Sequence, residues 1–501
     1  MSSPIILAID EGTTNAKVVA VDRDGIICAR CSVGVPMNHP APGLAEQDPM
    51  VLWQAVSDAL SGCLQQLGSV SVAGIAISNQ RESVLVWQRQ DGKPLTPVVS
   101  WQDRRSEQQC QDLLTAGHGE LIARLTGLPV DPLFPAAKIR ALLDVIPEGL
   151  SRAERGELCI GTIDSWLCWQ LTGGHAFTTD FSNAARTQLF NIYTGQWDDE
   201  LLKLFGIPRA ALPEVRPSAS HHGEVQISTI TGLPTGTPIL ALIGDSHAAL
   251  YAQRSVCGHV VKATYGTGSS LMLSLPEPVK RSNSLSTTLA WHDGELNYAL
   301  EGNITHTGSG AAWLGKMLGI NDPAVLTELA QTTDDNQGVY YVPALSGLGA
   351  PWWDLHARGM ICGLTDAATP AVLARAALES MVYQIADVFF AMEQATGQRI
   401  DSLCVDGTAT KNRWLMQLQA NVLQRPLIIQ PAAEISALGA TLLAGKTLGW
   451  WQDGTPPAAL TNCGERLEPQ LEQQKLMQHN YKQWLEAVAR CRFVPKHNPL
   501  A

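Results

Sequence analysis

Two short stretches, separated by about half the chain, constrain this sequence more than any other feature. In "AIDEGTTNAKVVAVD" an apolar run ends in acids, breaks at Gly12-Thr13-Thr14 and resumes beyond Lys17. In "GHVVKATYGTGSSLMLSL" another apolar run breaks at Gly266-Thr267-Gly268 and resumes. Each reads as a hairpin whose turn is rich in backbone amide and hydroxyl donors, the groups that surround phosphate oxygens. One such turn is more often an ordinary glycine hairpin with an exposed acid. Two at corresponding places in the two halves imply an internal duplication, with both loops closing on one phosphate chain from opposite sides. The separation is far longer than the 20-to-50-residue period of a solenoid, and neither loop is a Walker P-loop, since no GxxxxGK[ST] occurs.

The surrounding pattern predicts a β-meander at each site. The first takes Ile5 to Ile9, Lys17 to Val21 and a third strand near Ile26 after an Asp24-Gly25 turn. The second begins near Val260 and continues through "LSTTLAWHDGELNYALEG" with another Asp-Gly turn. Between them lie strand-like "VAGIAIS" and "PILALIGD" and helix-like "GTIDSWLCWQLTG", an alternation that favours an α/β architecture. The longest helix is expected from Pro370, capped by Thr369, to about Gly397, burying Leu373, Ala377, Met381, Ile385, Val388 and Met392 on one face. A boundary near Tyr251 to Gly258 divides the chain into domains 1–250 and 251–501, and the tail after Trp450, with "DGTPP", reads as a peripheral element.

With 501 residues and 45% hydrophobic content the chain can bury two ordinary cores. Its formal net charge of −12 argues against a nucleic-acid surface, leaving small molecules as the expected partners. Eleven cysteines without a repeating spacing fit a reducing cytoplasm better than a secreted disulfide framework. The "CARC" pair, Cys28 and Cys31, has zinc-ligand spacing but no second pair, so both are read as buried small hydrophobes. "MSSPIILAID" has no charged n-region, and no run of about 18 apolar residues occurs, so neither export nor a membrane span is expected. Oligomeric state is not written in the chain; a homo-oligomer is compatible with it.

Two acids and a glycine are the candidates for the chemistry. Asp10 ends the first strand where a carboxylate can face a ligand, and Lys17 can add positive charge to the loop. Asp245 in "ALIGDSHAAL" stands at the end of another apolar strand, where it either caps the following helix or faces the cleft. Facing the cleft, it can accept a hydroxyl proton while Asp10 holds a metal on the nucleotide. In "LCVDGTATKNRWLMQLQANVL" a strand meets Asp406-Gly407-Thr408, and a helix follows from about Asn412. Gly407 allows close backbone approach to a flat ring, although a plain strand-to-helix turn has the same form.

These segments, together with "SNQRESVLVW", "SWQDRRS", "TTDFSNAARTQLFNI" and "LSGLGAPWWDLHARG", resemble in order the successive motifs of the FGGY carbohydrate kinases, and within them most of all the glycerol kinases. The resemblance implies two actin-like, ribonuclease-H-like domains facing a central cleft, with ATP and Mg2+ as nucleotide and metal. By motif, Asp10 resembles the family's metal-associated acid, Gly12 to Thr14 with Lys17 the first phosphate loop, and Gly266 to Gly268 the second. Asp245 matches the catalytic base, and Gly308, Gly407, Thr408 and Asn412 match positions around the γ-phosphate, ribose and adenine. Arg81, Glu82 and Trp101 match the residues that hold the polyol, where an Arg beside a Glu bonds both lone pairs and hydrogens of a diol and an indole covers its carbons.

The chain departs from the glycerol kinase pattern at three informative places. Leu133 stands where that pattern has tyrosine, and Ser246, after Asp245, where it has glutamine. Two polar contacts are lost and the site is larger, so a longer polyol or a sugar is the expected acceptor rather than glycerol. Thr408 replaces a glycine on the adenine side. Ala141 and Val372 also depart from the family signatures, at positions that look structural. The expected reaction is transfer of the ATP γ-phosphoryl group to a hydroxyl of a small polyol or sugar. Its alternatives are glycerol kinase activity itself and, from another class, an actin-like ATPase or a sugar-binding regulator without kinase activity.

Overall fold

A computed structural model describes residues 3–257, 260–279, 284–354, 356–430, 434–451, 457, 460 and 464–492. The first hairpin is β1 (Ile5–Glu11) and β2 (Asn15–Asp22), followed by β3 (Ile27–Gly34). With β4 (Val72–Asn79), β5 (Ala219–Glu224) and β6 (Pro238–Gly244) these strands form a six-stranded sheet in the order β5-β6-β4-β1-β2-β3. β4 runs parallel to both β1 and β6, while β2, β3 and β5 are antiparallel to their neighbours. Ile5 to Ile9 are buried without alternation, as expected of a strand covered on both faces.

The second half repeats this plan. β7 (Val260–Tyr265), β8 (Ser269–Leu275), β9 (Ser286–His292), β10 (Leu296–Ile304), β11 (Ser402–Gly407), β12 (Leu427–Ile429) and β13 (Glu465–Leu467) form a sheet ordered β9-β10-β8-β7-β11-β12-β13. Again an antiparallel hairpin lies beside two parallel strands from later in the chain. The expected meander is corrected in one respect: β10, not β9, pairs with β8. The tight turn at Asp293-Gly294 ties β9 to β10, whereas residues 276–285 leave enough chain for β9 to sit one strand further out.

Helices cover both sheets. α1 (Pro49–Leu67), capped by Asp48, packs on β2 and β3, and α2 (Ile163–Leu171) places Trp166 and Leu167 in the same core. α3 (Asp245–Cys257) follows β6, and α4 (Gly308–Met317) follows β10. α5 (Pro370–Thr396) has the expected ends, with Thr369 accepting from the Val372 N–H and Gly397 closing the helix in a left-handed conformation; Ala377, Met381, Ile385, Val388 and Met392 are buried as expected, while Leu373 is only half-buried. α6 (Arg413–Leu423) begins at Asn412, which caps it. α7 (Ile435–Thr447), although late in the chain, packs with α3 against the first sheet, interlocking the two lobes. Gly439 permits that approach, since a Cβ there would stand 1.9 Å from the Ala248 carbonyl oxygen.

Two further expectations are corrected. The tail is not peripheral: β13 extends the second sheet, and α8 (Gln474–Cys491) buries Met477, Trp484, Ala487 and Val488. Their three-and-four spacing is a helical stripe that the sequence reading overlooked; "DGTPP" lies outside the described residues apart from Pro457. Cys28 is exposed and Cys31 only half-buried. Both lie on the edge strand β3.

Candidate active site

The chemistry-bearing residues cluster where strands end. Asp10 lies near the end of β1, paired with Lys17 on β2 and Ser78 on β4. Ser78 Oγ donates to Asp10 Oδ1 at 3.1 Å. Asp245 opens α3 at the end of β6, and its Oδ1 accepts from the Ser246 N–H. Three elements hold this turn: Ser182 Oγ accepts from the Gly244 N–H at 2.9 Å, Ser436 Oγ of α7 donates to the Asp245 carbonyl at 3.0 Å, and Arg81 Nε donates to Asp245 Oδ1 at 3.3 Å. Burial pushes the Asp10 carboxyl up to about 6, opposed by Lys17 and reinforced by the nearby Asp245 carboxylate. The two acids, 235 positions apart in the chain, therefore sense each other across the site.

Beside Asp10, Glu11 is fully buried, and that burial raises its carboxyl well above the usual range despite a bond from Gln80 Nε2 at 3.1 Å. Gln80 also donates to Gln47, whose own amide donates to the Thr13 carbonyl, so a chain of amides holds the first loop from below. Gly12 donates to Asn15 across the turn. Thr13 Oγ1 accepts from the Trp101 indole N–H at 3.0 Å. The residue expected on the acceptor's carbons thus also touches the first Gly-Thr-Thr loop.

Arg81 and Glu82 leave β4 in an unusual backbone turn. Glu82 has a φ of 62°, and the Ser83 N–H donates to the Arg81 carbonyl at 2.8 Å, the geometry of the rarer, strained γ-turn. Ion pairs hold both side chains: Arg81 Nη1 donates to Glu301 Oε1 at 2.8 Å, and Arg186 Nε donates to Glu82 Oε1 at 2.5 Å. Leu133 is half-buried, and its carbonyl accepts from Lys138 Nζ, an amine whose burial brings it down to about 8. Ser246 is half-buried next to Asp245.

The second loop is held mainly by backbone. Gly266 donates to Gly268, while the first turn of α4 donates back to the loop, Gly308 to Gly266 and both Thr307 and Ser309 to Thr267. A Cβ on Gly268 would stand 2.4 Å from the Ile304 carbonyl and one on Gly308 2.6 Å from the Gly266 carbonyl, so both positions are closed to larger residues. His306 links this turn to the 345–350 loop, with Nδ1 3.0 Å from Ser309 Oγ and Nε2 2.7 Å from Ser346 Oγ. Gly407 has a φ of 100°, and its Cα faces the Tyr265 carbonyl, 2.1 Å from where a Cβ would be, so its glycine is required by the neighbouring strand. Thr408 is exposed, and Asn412 spends its side chain on capping α6 and on Thr327 Oγ1 at 2.9 Å.

Sequence reasoning singled out neither Arg186, Glu301 nor His247. Arg186 lay unassigned inside "TTDFSNAARTQLFNI", and Glu301 is an acid in the apolar run "NYALEG", a pattern that calls for a buried partner. Among the described residues no group of three or more His, Cys, Asp or Glu could hold a metal ion alone. Mg2+, however, takes only one or two carboxylates when substrate phosphates and waters complete its shell. Asp10 fits that requirement: burial and the Asp245 carboxylate disfavour its charged form, Lys17 offsets them only in part, and a further cation would favour that form.

Residues 5–252 match the model of the FGGY family of carbohydrate kinases, N-terminal domain, and residues 261–448 match that of the C-terminal domain. The apulose kinase of Pectobacterium atrosepticum is 58% identical over 99% of this chain and 100% of its own length. The glycerol kinase of Koribacter versatilis is 42% identical over 98% of this chain and 99% of its own. Among solved structures, Plasmodium falciparum glycerol kinase with ADP superposes with a TM-score of 0.92 at 30% identity, covering 98% of this chain and 99% of that one.

Proposed function

The chain belongs to the FGGY family of carbohydrate kinases, two actin-like domains around a cleft that make it an ATP-dependent phosphotransferase with a sugar or polyol hydroxyl as acceptor, and within that frame we propose its residue roles and acceptor. Asp245 is the base. It accepts the acceptor's hydroxyl proton as that oxygen bonds to the γ-phosphorus, and the bond from γ-phosphorus to the β–γ bridging oxygen breaks to release ADP. The observation that carries this reading is the convergence of Asp245, Asp10 and Arg81 from separate strand ends onto one site.

Asp10 would hold Mg2+, which when bound would neutralise charge on the transferring phosphates. Gly12, Thr13 and Thr14 with Lys17 cradle the phosphates from the first lobe, and Gly266, Thr267, Gly268 and Gly308 from the second. Gly407, Thr408 and Asn412 border the nucleoside, Asn412 through the fold of its turn. Arg81, Glu82 and Trp101 hold the acceptor, and Leu133 and Ser246 widen its pocket. On this reading 1–250 carries acceptor and base, and 251–501 most of the nucleotide site. The acceptor is not glycerol but a larger sugar, and the relative at 58% identity makes apulose the first to try. A cytoplasmic setting suits the nine free cysteines among the described residues.

The test is ADP release from Mg-ATP with apulose, glycerol, tetritols, pentitols, ketopentoses and hexoses, repeated with Asp245→Asn. We expect turnover on apulose at least tenfold above that on glycerol, and a loss of 10²-fold to 10⁴-fold in kcat for the variant with ATP affinity retained. Faster turnover on glycerol would reject the acceptor, and unchanged kcat in Asp245→Asn would reject the base.

A further inference from the structure

Arg81 and Glu82, the pair assigned to the acceptor, both depend on a carboxylate from the opposite lobe. Glu301, on β10 of the second sheet, has no solvent exposure. Its Oε1 accepts from Arg81 Nη1 at 2.8 Å, and its Oε2 lies 2.5 Å from Arg186 Nη1, a charge pair whose N–H does not point along the contact. Arg186, 1% exposed, in turn donates through Nε to Glu82. One carboxylate therefore fixes Arg81 directly and Glu82 through one intermediate. The Phe134 ring lies 5.2 Å from the Arg186 guanidinium, and Ser270 Oγ donates to Glu301 Oε1 at 3.4 Å, closing the cluster from both lobes.

The position of Arg81 between two acids gives this arrangement its consequence. Its Nε–H already bonds Asp245, which is 36% exposed towards the cleft. A guanidinium prefers to meet a carboxylate with two parallel bonds. Without Glu301, Arg81 would be drawn onto both oxygens of Asp245, occupying the base and leaving the acceptor's place. With Glu301 taking Nη1, Arg81 touches Asp245 through Nε alone and keeps its remaining N–H groups for a hydroxyl. His247, fully buried with both ring nitrogens unpaired, lies beside Arg81 and Arg186 and is held neutral by burial and their charges, so it adds no further positive charge to the cluster.

We propose that Glu301 is the positioning residue of the acceptor site: from the second lobe it holds the guanidinium groups of Arg81 and Arg186 in the first, keeping Arg81 off the base and Glu82 in place. This rests on the reading that Arg81 holds the acceptor. The experiment compares Glu301→Gln, Glu301→Asp, Arg81→Lys and the Glu301→Gln/Arg81→Lys double variant, measuring kcat and KM for apulose, or the fastest acceptor of the panel above, and KM for ATP. Glu301→Gln is expected to lose at least 100-fold in kcat/KM for the acceptor and Glu301→Asp about tenfold, with KM for ATP within threefold of the parent. In the double variant the losses should overlap, ending within threefold of the worse single variant.

Unchanged acceptor kinetics in Glu301→Gln, a rise in KM for ATP as large as that for the acceptor, or losses that multiply in the double variant would each overturn the proposal. If Glu301→Gln does not fold, Glu301→Asp carries the same comparison, and failure of both to fold would assign Glu301 to the fold and reject the role. Should Arg81→Lys leave acceptor kinetics intact, the acceptor reading itself fails. Should it be defective while Glu301→Gln is normal, only this inference does.

Discussion

The two hairpin loops are built alike and equipped differently. Each joins its strands through three residues, 12–14 and 266–268, and each lies beside a parallel strand, with Asp10 opposite Ser78 in the first lobe and Thr264 opposite Asp406 in the second. Acid and hydroxyl have changed places between the lobes. At the hairpin base the first lobe carries Asp10, Glu11 and Lys17, and the second carries Thr264, Tyr265 and Leu271. The second loop is instead fastened to the first turn of α4 by backbone bonds. The same geometry occurs in both lobes, and at the hairpin base itself the ionisable acids and the lysine lie in the first. On the proposed roles, a second set of acids at the other hairpin base would add repulsion towards the same phosphates.

The largest expected difference tests that asymmetry directly. Asp10→Asn should lower kcat with Mg-ATP by about 100-fold or more, whereas Asp406→Asn, whose carboxylate accepts from Gln253 Nε2 at 3.2 Å, should stay within about fivefold by the modest net worth of one hydrogen bond. Equal losses in a steady-state assay would show that both acids serve the nucleotide. The same Asp10 also predicts a pH effect. Binding of Mg-ATP, followed by calorimetry, should weaken as pH falls through about 6, because protonation removes the carboxylate that would meet the metal.

Stability should move the other way. Because the folded form holds the Asp10 proton more tightly than the unfolded chain, its contribution is full below about pH 4 and is lost as pH rises through about 6. Asp10→Asn should therefore be more stable than the parent at pH 7.5 by on the order of 2 kcal/mol, with the difference gone below about pH 4 in denaturant titrations. A variant less stable at neutral pH would mean that Lys17 and the Ser78 bond outweigh the cost of burying the carboxylate. The smallest contrast concerns the turns. Gly268→Ala forces a Cβ against a carbonyl and should cost about 1–3 kcal/mol, while a Cβ at Gly12 meets only an ordinary contact, 3.6 Å from the Asn15 carbonyl, and should change stability by less than about 0.5 kcal/mol. Thermal scans of the two variants compare them.

Much of this molecule is legible along the chain, and the exceptions share a cause. The hairpins, α5 with its Thr369 cap and Gly397 stop, and the Asn412 start of α6 follow from signals within a few residues. Gly407 reads in the sequence as a place of close backbone approach, and in the fold the Tyr265 carbonyl on the adjacent strand makes one such approach. The stripe on α8 was present in the sequence and missed because charged residues between its members made the tail look solvated. The exchange of β9 and β10 depended on the length of a connection, which a local pattern does not weigh.

The sequence by itself determined the duplicated α/β plan, the donor-rich turns and the acids at the strand ends, because periodicity and turn chemistry act between near neighbours. Only the tertiary structure decided that Arg81, Arg186 and Glu301 meet, that α7 crosses to the first sheet, and that Asp10 and Asp245 share one site. Buried charges are tolerable only where an opposite charge arrives from elsewhere in the fold. Positions 81, 186 and 301 lie too far apart in the chain for any local pattern to pair them.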